Sequence, residues 1–96
     1  MRQINIRDSF GNDWISRKAG ERLRQMIVES TAGGEMVEID FKDTIIASTS
    51  FFDEGFAKLT ELGWTKGKLH SLVRLKHIHE KDRGLLEKMC ENRDMK

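Results

Sequence analysis

The strongest constraint on the fold is the alternation of strand-like and helix-like segments along the 96 residues. Residues 35–41 form the clearest strand, because apolar side chains there alternate with acidic ones directly after two glycines. Shorter apolar segments predict two further strands, one over residues 3–7 and one over residues 69–75.

The apolar residues between and after these strands recur at helical spacing. They predict three helices, over residues 16–30, 50–63 and 80–92. Ser16 and Ser50 are the predicted N-caps, and Asp53 has the spacing that completes a capping box with Ser50. Gly20 lies inside the first helix, where glycine lowers helix stability, so it predicts close packing against a neighbouring element.

The resulting order of elements is β-α-β-α-β-α, which is typical of a small α/β layer with largely parallel strands. The length allows one domain over residues 1–96. We expect a mostly parallel or mixed sheet of three or four strands with three helices. Residues 8–15 are the candidate for a fourth strand, and a dimer partner is the alternative cover for an open sheet edge.

The composition and the N-terminal sequence limit the cellular compartments in which we expect the chain. No apolar run approaches the roughly 18 residues of a membrane span, and the N-terminus lacks the pattern of a secretory signal. Cys90 is the single cysteine, so an internal disulfide is impossible. We therefore expect a cytoplasmic protein that does not bind a membrane.

The sequence contains no motif that supports catalysis or cofactor binding. His77 and His79 next to Glu80 resemble part of a metal-ligand set, but the other donors, His70 and Cys90, lie on separate predicted elements. There is no nucleophile elbow, and Gly33-Gly34 precedes a strand instead of opening a helix as a phosphate loop does. We expect no metal site, no cofactor and no enzymatic activity.

Basic residues are concentrated in two places, which raises the alternative of a regulator associated with nucleic acid. They are Arg17, Lys18, Arg22 and Arg24 in the first helix, and Lys66 and Lys68 before the third strand. Trp64 beside the second group is a candidate stacking aromatic. The sequence pI of about 7.9 and the interleaved acidic residues argue against a dedicated nucleic-acid binder.

Three consecutive hydroxyl side chains, Ser48, Thr49 and Ser50, lie between the carboxyl end of a predicted strand and the start of a predicted helix. Asp53 and Glu54 follow in the same helix. An α/β sheet usually carries its functional surface at this position. Two interpretations remain open, a functional loop and a simple turn in which Ser50 caps the helix.

The residues of this region resemble a known family. The strand Val37-Glu38-Ile39-Asp40-Phe41 and the helix start Ser50-Phe51-Phe52-Asp53-Glu54-Gly55-Phe56 look like the STAS-like family of unknown function, a group of small bacterial domains. Ser16 with the segment from Gly20 to Arg24 is similar to the opening of that family's first helix. The resemblance extends from about Ile15 to Leu75.

The resemblance implies a role in signalling through contact with another protein, such as a histidine-kinase-like ATPase. In the related anti-sigma factor antagonists a serine of the corresponding turn is phosphorylated, and Thr49 occupies the similar position here, with Ser50 beside it. Ser48 stands at the place of the family's aspartate, and Phe51 at the place of its glycine.

We therefore predict a non-catalytic regulatory module that binds a protein partner. The predicted binding and phosphoacceptor surface consists of Ser48, Thr49, Ser50, Asp53 and Glu54. A structural homo-oligomer that completes its sheet across a dimer is the further alternative.

Overall fold

The computed structural model describes all 96 residues. Its strands are β1 (Arg2–Asn5), β2 (Val37–Asp40) and β3 (Val73–Lys76). Its α-helices are α1 (Ile6–Phe10), α2 (Arg17–Thr31), α3 (Thr49–Gly55), α4 (Lys66–Leu72) and α5 (Glu80–Asn92), and Ala57–Leu62 forms a 3₁₀ helix.

The sheet has three strands in the order β1-β2-β3, and both pairings are parallel. Ile4, Ile39 and Leu75 are in register across the three strands, so their side chains share one face. Gln3, Glu38 and Arg74 share the opposite face. The predicted α/β class and parallel sheet are confirmed, and the sheet has no fourth strand.

The apolar face of the sheet belongs to one core of 21 buried residues. Ile39 at the centre of the sheet is fully buried, and so are three phenylalanines around α3: Phe51, Phe52 and Phe56. Phe51 and Phe52 meet edge to face, with ring centroids 5.8 Å apart. Helix α3 is therefore fixed by aromatic packing, which sets the position of the loop before it.

Close packing at Gly20 is confirmed. A Cβ atom at Gly20 would lie 2.7 Å from the carbonyl oxygen of Phe51 and 2.8 Å from Cβ of Glu54. Such distances are shorter than van der Waals contact, so only glycine lets α2 approach α3 this closely.

The predicted boundaries of the first strand are wrong. The strand ends at Asn5, because the side chain of Asn5 accepts the backbone N–H of Asp8 and caps α1. Helix α1 was not predicted, since its five residues are too few to show helical spacing.

The predicted bounds of the third strand, residues 69–75, are also wrong. Thr65 accepts the backbone N–H of Lys68 and caps α4, which runs through Leu72. Strand β3 begins only at Val73. Short apolar segments fit either periodicity, and here the side-chain cap decided in favour of a helix.

The second predicted helix begins earlier than expected and is not continuous. Ser48, not Ser50, is its N-cap, and the α-helical geometry ends at Gly55 before the 3₁₀ helix. Gly63 ends that 3₁₀ helix with a φ of +84°, in agreement with the predicted stop. The chain thus has five α-helices instead of the three predicted, and none of them has the length and apolar character required to cross a membrane.

Candidate functional site

The loop between β2 and α3 follows the carboxyl end of a strand, as the sequence predicted, and that strand is the central one of the sheet. The Ser48 hydroxyl accepts the backbone N–H of Phe51 at 3.2 Å and donates to the carbonyl oxygen of Ile15 at 2.5 Å. Ser48 therefore caps α3 and also ties the loop to the segment before α2. Its hydroxyl thus both donates and accepts a hydrogen bond within the fold.

The other two hydroxyl groups of the predicted surface, those of Thr49 and Ser50, make no hydrogen bond within the chain. Thr49 is exposed, and Ser50 is half-buried. Thr49 is therefore the most accessible of the three hydroxyl residues. Its role as a phosphoacceptor stays a prediction.

A buried carboxylate holds the loop in place. Asp82 of α5 is only 1% exposed, and its two oxygens accept the backbone N–H groups of Ile46 at 2.8 Å and Ala47 at 2.9 Å. Ala47 has a φ of +49°, in the left-handed region that residues other than glycine seldom adopt. The hydrogen bonds from Asp82 thus stabilise a strained backbone immediately before Ser48.

The sequence did not identify Asp82 as part of the site. Its position in the first turn of α5 indicated only a favourable interaction with the helix dipole. No sequence signal connects Asp82 with a loop 35 residues away, because the contact depends on how α5 packs against that loop.

Two exposed isoleucines belong to this region, Ile45 within the loop and Ile15 through its backbone contact with Ser48. Ile15, whose carbonyl accepts the Ser48 hydroxyl, is 53% exposed, and Ile45 is 63% exposed. Beside Ile45 lies an open groove of about 470 Å³, which is lined by Ile45, Ala47, His79, Lys81, Asp82 and Leu85. The loop therefore presents the apolar side chain of Ile45 four residues before the exposed Thr49.

The two carboxylates of α3 are already paired with cations. Asp53 accepts two hydrogen bonds from Arg93, at 2.5 and 2.8 Å, and one from Arg17 at 3.1 Å. These contacts, with that of Arg93 the strongest, hold the pKa of Asp53 below its ordinary value against the opposing effect of burial. The predicted capping-box role of Asp53 is wrong, because Ser48 caps the helix.

Glu54 has three cationic partners. Its carboxylate lies 2.9 Å from Nζ of Lys58 and 3.1 Å from the guanidinium groups of Arg17 and Arg24. Burial by itself raises the pKa of Glu54, but the hydrogen bonds from these three cations outweigh it and lower the pKa. Asp53 and Glu54 connect α3 to α2, and Asp53 also connects it to Arg93 after α5.

Most of the predicted basic surface has partners inside the fold. Arg17 and Arg24 form the ion pairs above, while the Arg22 guanidinium lies 5.1 Å from the centre of the Phe10 ring. The Lys68 ammonium lies 4.7 Å from the centre of the Trp64 ring. Trp64 is buried, so its predicted role as a stacking aromatic is wrong. Lys18 and Lys66 are exposed and form no ion pair.

His77 and His79 have different partners. His77 contacts Asp40, whereas Nδ1 of His79 accepts the Lys81 backbone N–H and caps α5. No group of three metal-ligating side chains comes together. Cys90 is buried on α5, and burial raises the pKa of its thiol to about 11.

These features define a class of small α/β protein that has a parallel sheet and a fixed loop before α3. Residues 19–81 match a family described as a STAS-like domain of unknown function, and the chain belongs to this family. No curated protein and no solved structure matches the chain significantly. The predicted family is confirmed by this match.

Proposed function

We propose that this STAS-like chain is a non-catalytic regulatory module that binds another protein through its loop surface. The loop surface is defined here as Ile15, Ile45, Ser48, Thr49 and Ser50. The family resemblance of the loop favours a kinase-like ATPase as the partner. Asp53 and Glu54, which the sequence placed in the same surface, hold helix α3 in place through their ion pairs.

The observation that carries this proposal is the pair of exposed isoleucines, one within a structurally fixed loop and one in the segment hydrogen-bonded to it. Ile15 and Ile45 are two of only five large hydrophobic residues that are exposed in the whole chain. Exposed apolar side chains that cluster at one place supply the anchors of protein interfaces. Because Asp82 and Ser48 fix the loop backbone, little conformational entropy is lost when a partner binds.

Phosphorylation of Thr49 gives this surface a switch. A phosphate adds about −1.5 to −2 charges, which a partner would have to desolvate beside two isoleucines. Ser48 is a poorer acceptor than Thr49 because its hydroxyl already caps α3 and contacts Ile15. We expect the phosphorylated chain to release its partner.

The first experiment captures a protein partner with the wild-type chain as bait and measures how a substitution in the loop surface changes the binding of that partner. Ile45→Asp should lower the affinity for the captured partner by about tenfold or more, since it replaces an apolar anchor with a charge. Leu62→Asp is the matched control, because Leu62 is 59% exposed but lies at the end of the 3₁₀ helix. Equal binding by the two variants would refute the loop surface.

The switch is tested separately with the purified partner. Thr49→Asp should weaken binding by about tenfold, whereas Thr49→Val, which removes the hydroxyl without adding charge, should leave it nearly unchanged. Mass spectrometry of the chain from its native host should find phosphate on Thr49. If both variants bind like the wild type, the surface remains but the switch is wrong.

A further inference from the structure

Two side chains at the carboxyl edge of the sheet form a pair outside the loop surface. Asp40 is the last residue of β2, and His77 follows β3 directly. Nδ1 of His77 lies 2.9 Å from Oδ1 of Asp40. The parallel register places the ends of β2 and β3 side by side, which is why residues 37 positions apart meet here.

The pairing fixes which nitrogen of His77 carries a proton. Burial alone raises the pKa of Asp40, but hydrogen bonds from His77 and from the Lys42 backbone N–H outweigh it and hold that pKa below its ordinary value. An ionised carboxylate can only accept hydrogen bonds, so Nδ1 of His77 is the donor. In the neutral ring Nε2 then carries the lone pair.

The His77 side chain is open to solvent. The His77 side chain is 50% exposed, and its φ of +58° lets the chain turn sharply as it leaves β3. The exposed cations Arg74 and Lys76 precede it on β3, while the nearby carboxylate of Glu38 lies 4.0 Å from Nζ of Lys76. The positive charges of Arg74 and Lys76 on β3 favour the approach of an anion to this edge of the sheet.

We propose that His77 is a phosphoryl acceptor and that Asp40 is its positioning residue. The Nε2 lone pair attacks the phosphorus of an activated donor, such as a phosphoramidate or the terminal phosphate of a nucleoside triphosphate on a kinase. The new N–P bond forms as the bond from phosphorus to the leaving group breaks. The leaving group departs with that electron pair.

The proton on Nδ1 stays in place throughout this step. The ring gains a positive charge when Nε2 is phosphorylated, and the Asp40 carboxylate stabilises that charge across the 2.9 Å contact. Asp40 thus has the role that a carboxylate has behind a nucleophilic or basic histidine in many enzymes.

The other two histidines lack this arrangement and serve as internal controls. Nδ1 of His79 accepts the Lys81 backbone N–H, so in its neutral ring the proton is on Nε2 and the lone pair is occupied. His70 is exposed on α4 and makes no hydrogen bond within the chain. We expect His77 to react faster than either of them.

The test uses potassium phosphoramidate as the phosphoryl donor with the full chain. The wild type is compared with two variants that each retain a single histidine. His70→Gln/His79→Ser retains His77, and His77→Gln/His79→Ser retains His70. Serine at position 79 preserves an N-cap for α5. Intact mass under neutral conditions gives the rate, ³¹P NMR distinguishes the Nε2 product from the Nδ1 product, and circular dichroism verifies folding.

The proposal predicts a faster reaction of the variant that retains His77, with the phosphoryl group on Nε2. Adding Asp40→Asn to that variant should slow the reaction by roughly tenfold, since a charge-assisted hydrogen bond is about twice as strong as a neutral one. Equal rates for His77 and His70, an Nδ1 product, or no effect of Asp40→Asn in a folded variant would each overturn it. All three outcomes are independent of partner binding at the loop surface.

Discussion

The two ends of the site are held by different means. On one side, α3 is fixed to α2 by the close contact at Gly20 and by ion pairs in which Asp53 and Glu54 share four cations: Arg17, Arg24, Lys58 and Arg93. On the other side, the backbone N–H groups of Ile46 and Ala47 in the loop before α3 depend on the single buried carboxylate of Asp82. The difference is one of redundancy. A shared ionic network tolerates the loss of a member, whereas a lone buried acceptor leaves two amides without a partner.

The largest effect is therefore expected at Asp82. Asp82→Ala leaves the N–H groups of Ile46 and Ala47 unpaired beside a cavity, and should lower the free energy of unfolding by about 3 kcal/mol. Asp82→Asn, which retains one oxygen acceptor, should cost clearly less. Urea denaturation followed by circular dichroism measures both. A loss of less than about 1 kcal/mol for Asp82→Ala would contradict the view that the loop depends on this residue.

The glycine contact comes second. Gly20→Ala places a Cβ 2.7 Å from the Phe51 carbonyl oxygen, so α2 and α3 must separate, and we expect a loss of about 2 kcal/mol. Gly84→Ala is the matched control, because no atom lies within 4 Å of a Cβ at that position in α5. It should stabilise the chain by about 0.5–1 kcal/mol through helix propensity. Similar effects of the two substitutions would show that α2 and α3 are less tightly packed than described.

The ionic side of the comparison predicts a pH dependence. The folded-state pKa values of Asp53 and Glu54 are below their ordinary values of 3.8 and 4.5. The stability that they contribute is therefore fully present above their unfolded pKa values and is lost as pH falls through the folded ones. Thermal unfolding between about pH 5 and pH 2 should show this loss.

The double variant Asp53→Asn/Glu54→Gln should have a shallower pH dependence than the wild type over that range. Some dependence should persist, because the pKa values of Asp13 and Asp40 are lowered as well. An unchanged profile would indicate that the ion pairs of α3 do not contribute to acid stability.

The smallest effect is expected for one member of the network. Lys58→Ala removes an ion pair between positions one helical turn apart, and it should cost about 0.3–0.5 kcal/mol. Arg17 and Arg24 still pair with Glu54 in this variant. Urea denaturation at low and high salt measures the change, which should diminish as salt screens the charges. A loss comparable to that of Asp82→Ala would refute the redundancy of the network.

The sequence alone predicted the elements whose signals are local. The alternation around Ile39 defined the central strand, Ser16 capped α2 as expected, and Gly20 correctly indicated a close helix contact. The motif around α3 also identified the family. In each case, the side-chain pattern or the missing Cβ acts within a few residues of where it is found.

Only the tertiary structure decided which side chains meet. The contacts of Asp82 with Ala47, of Asp53 with Arg93 and of Asp40 with His77 join residues that are 35 to 40 positions apart. Their partners depend on the packing of α5 and on the parallel register of β2 and β3, which no local pattern encodes. Charged residues in a sequence therefore indicate a surface, but the fold determines which of them are neutralised and which remain free to act.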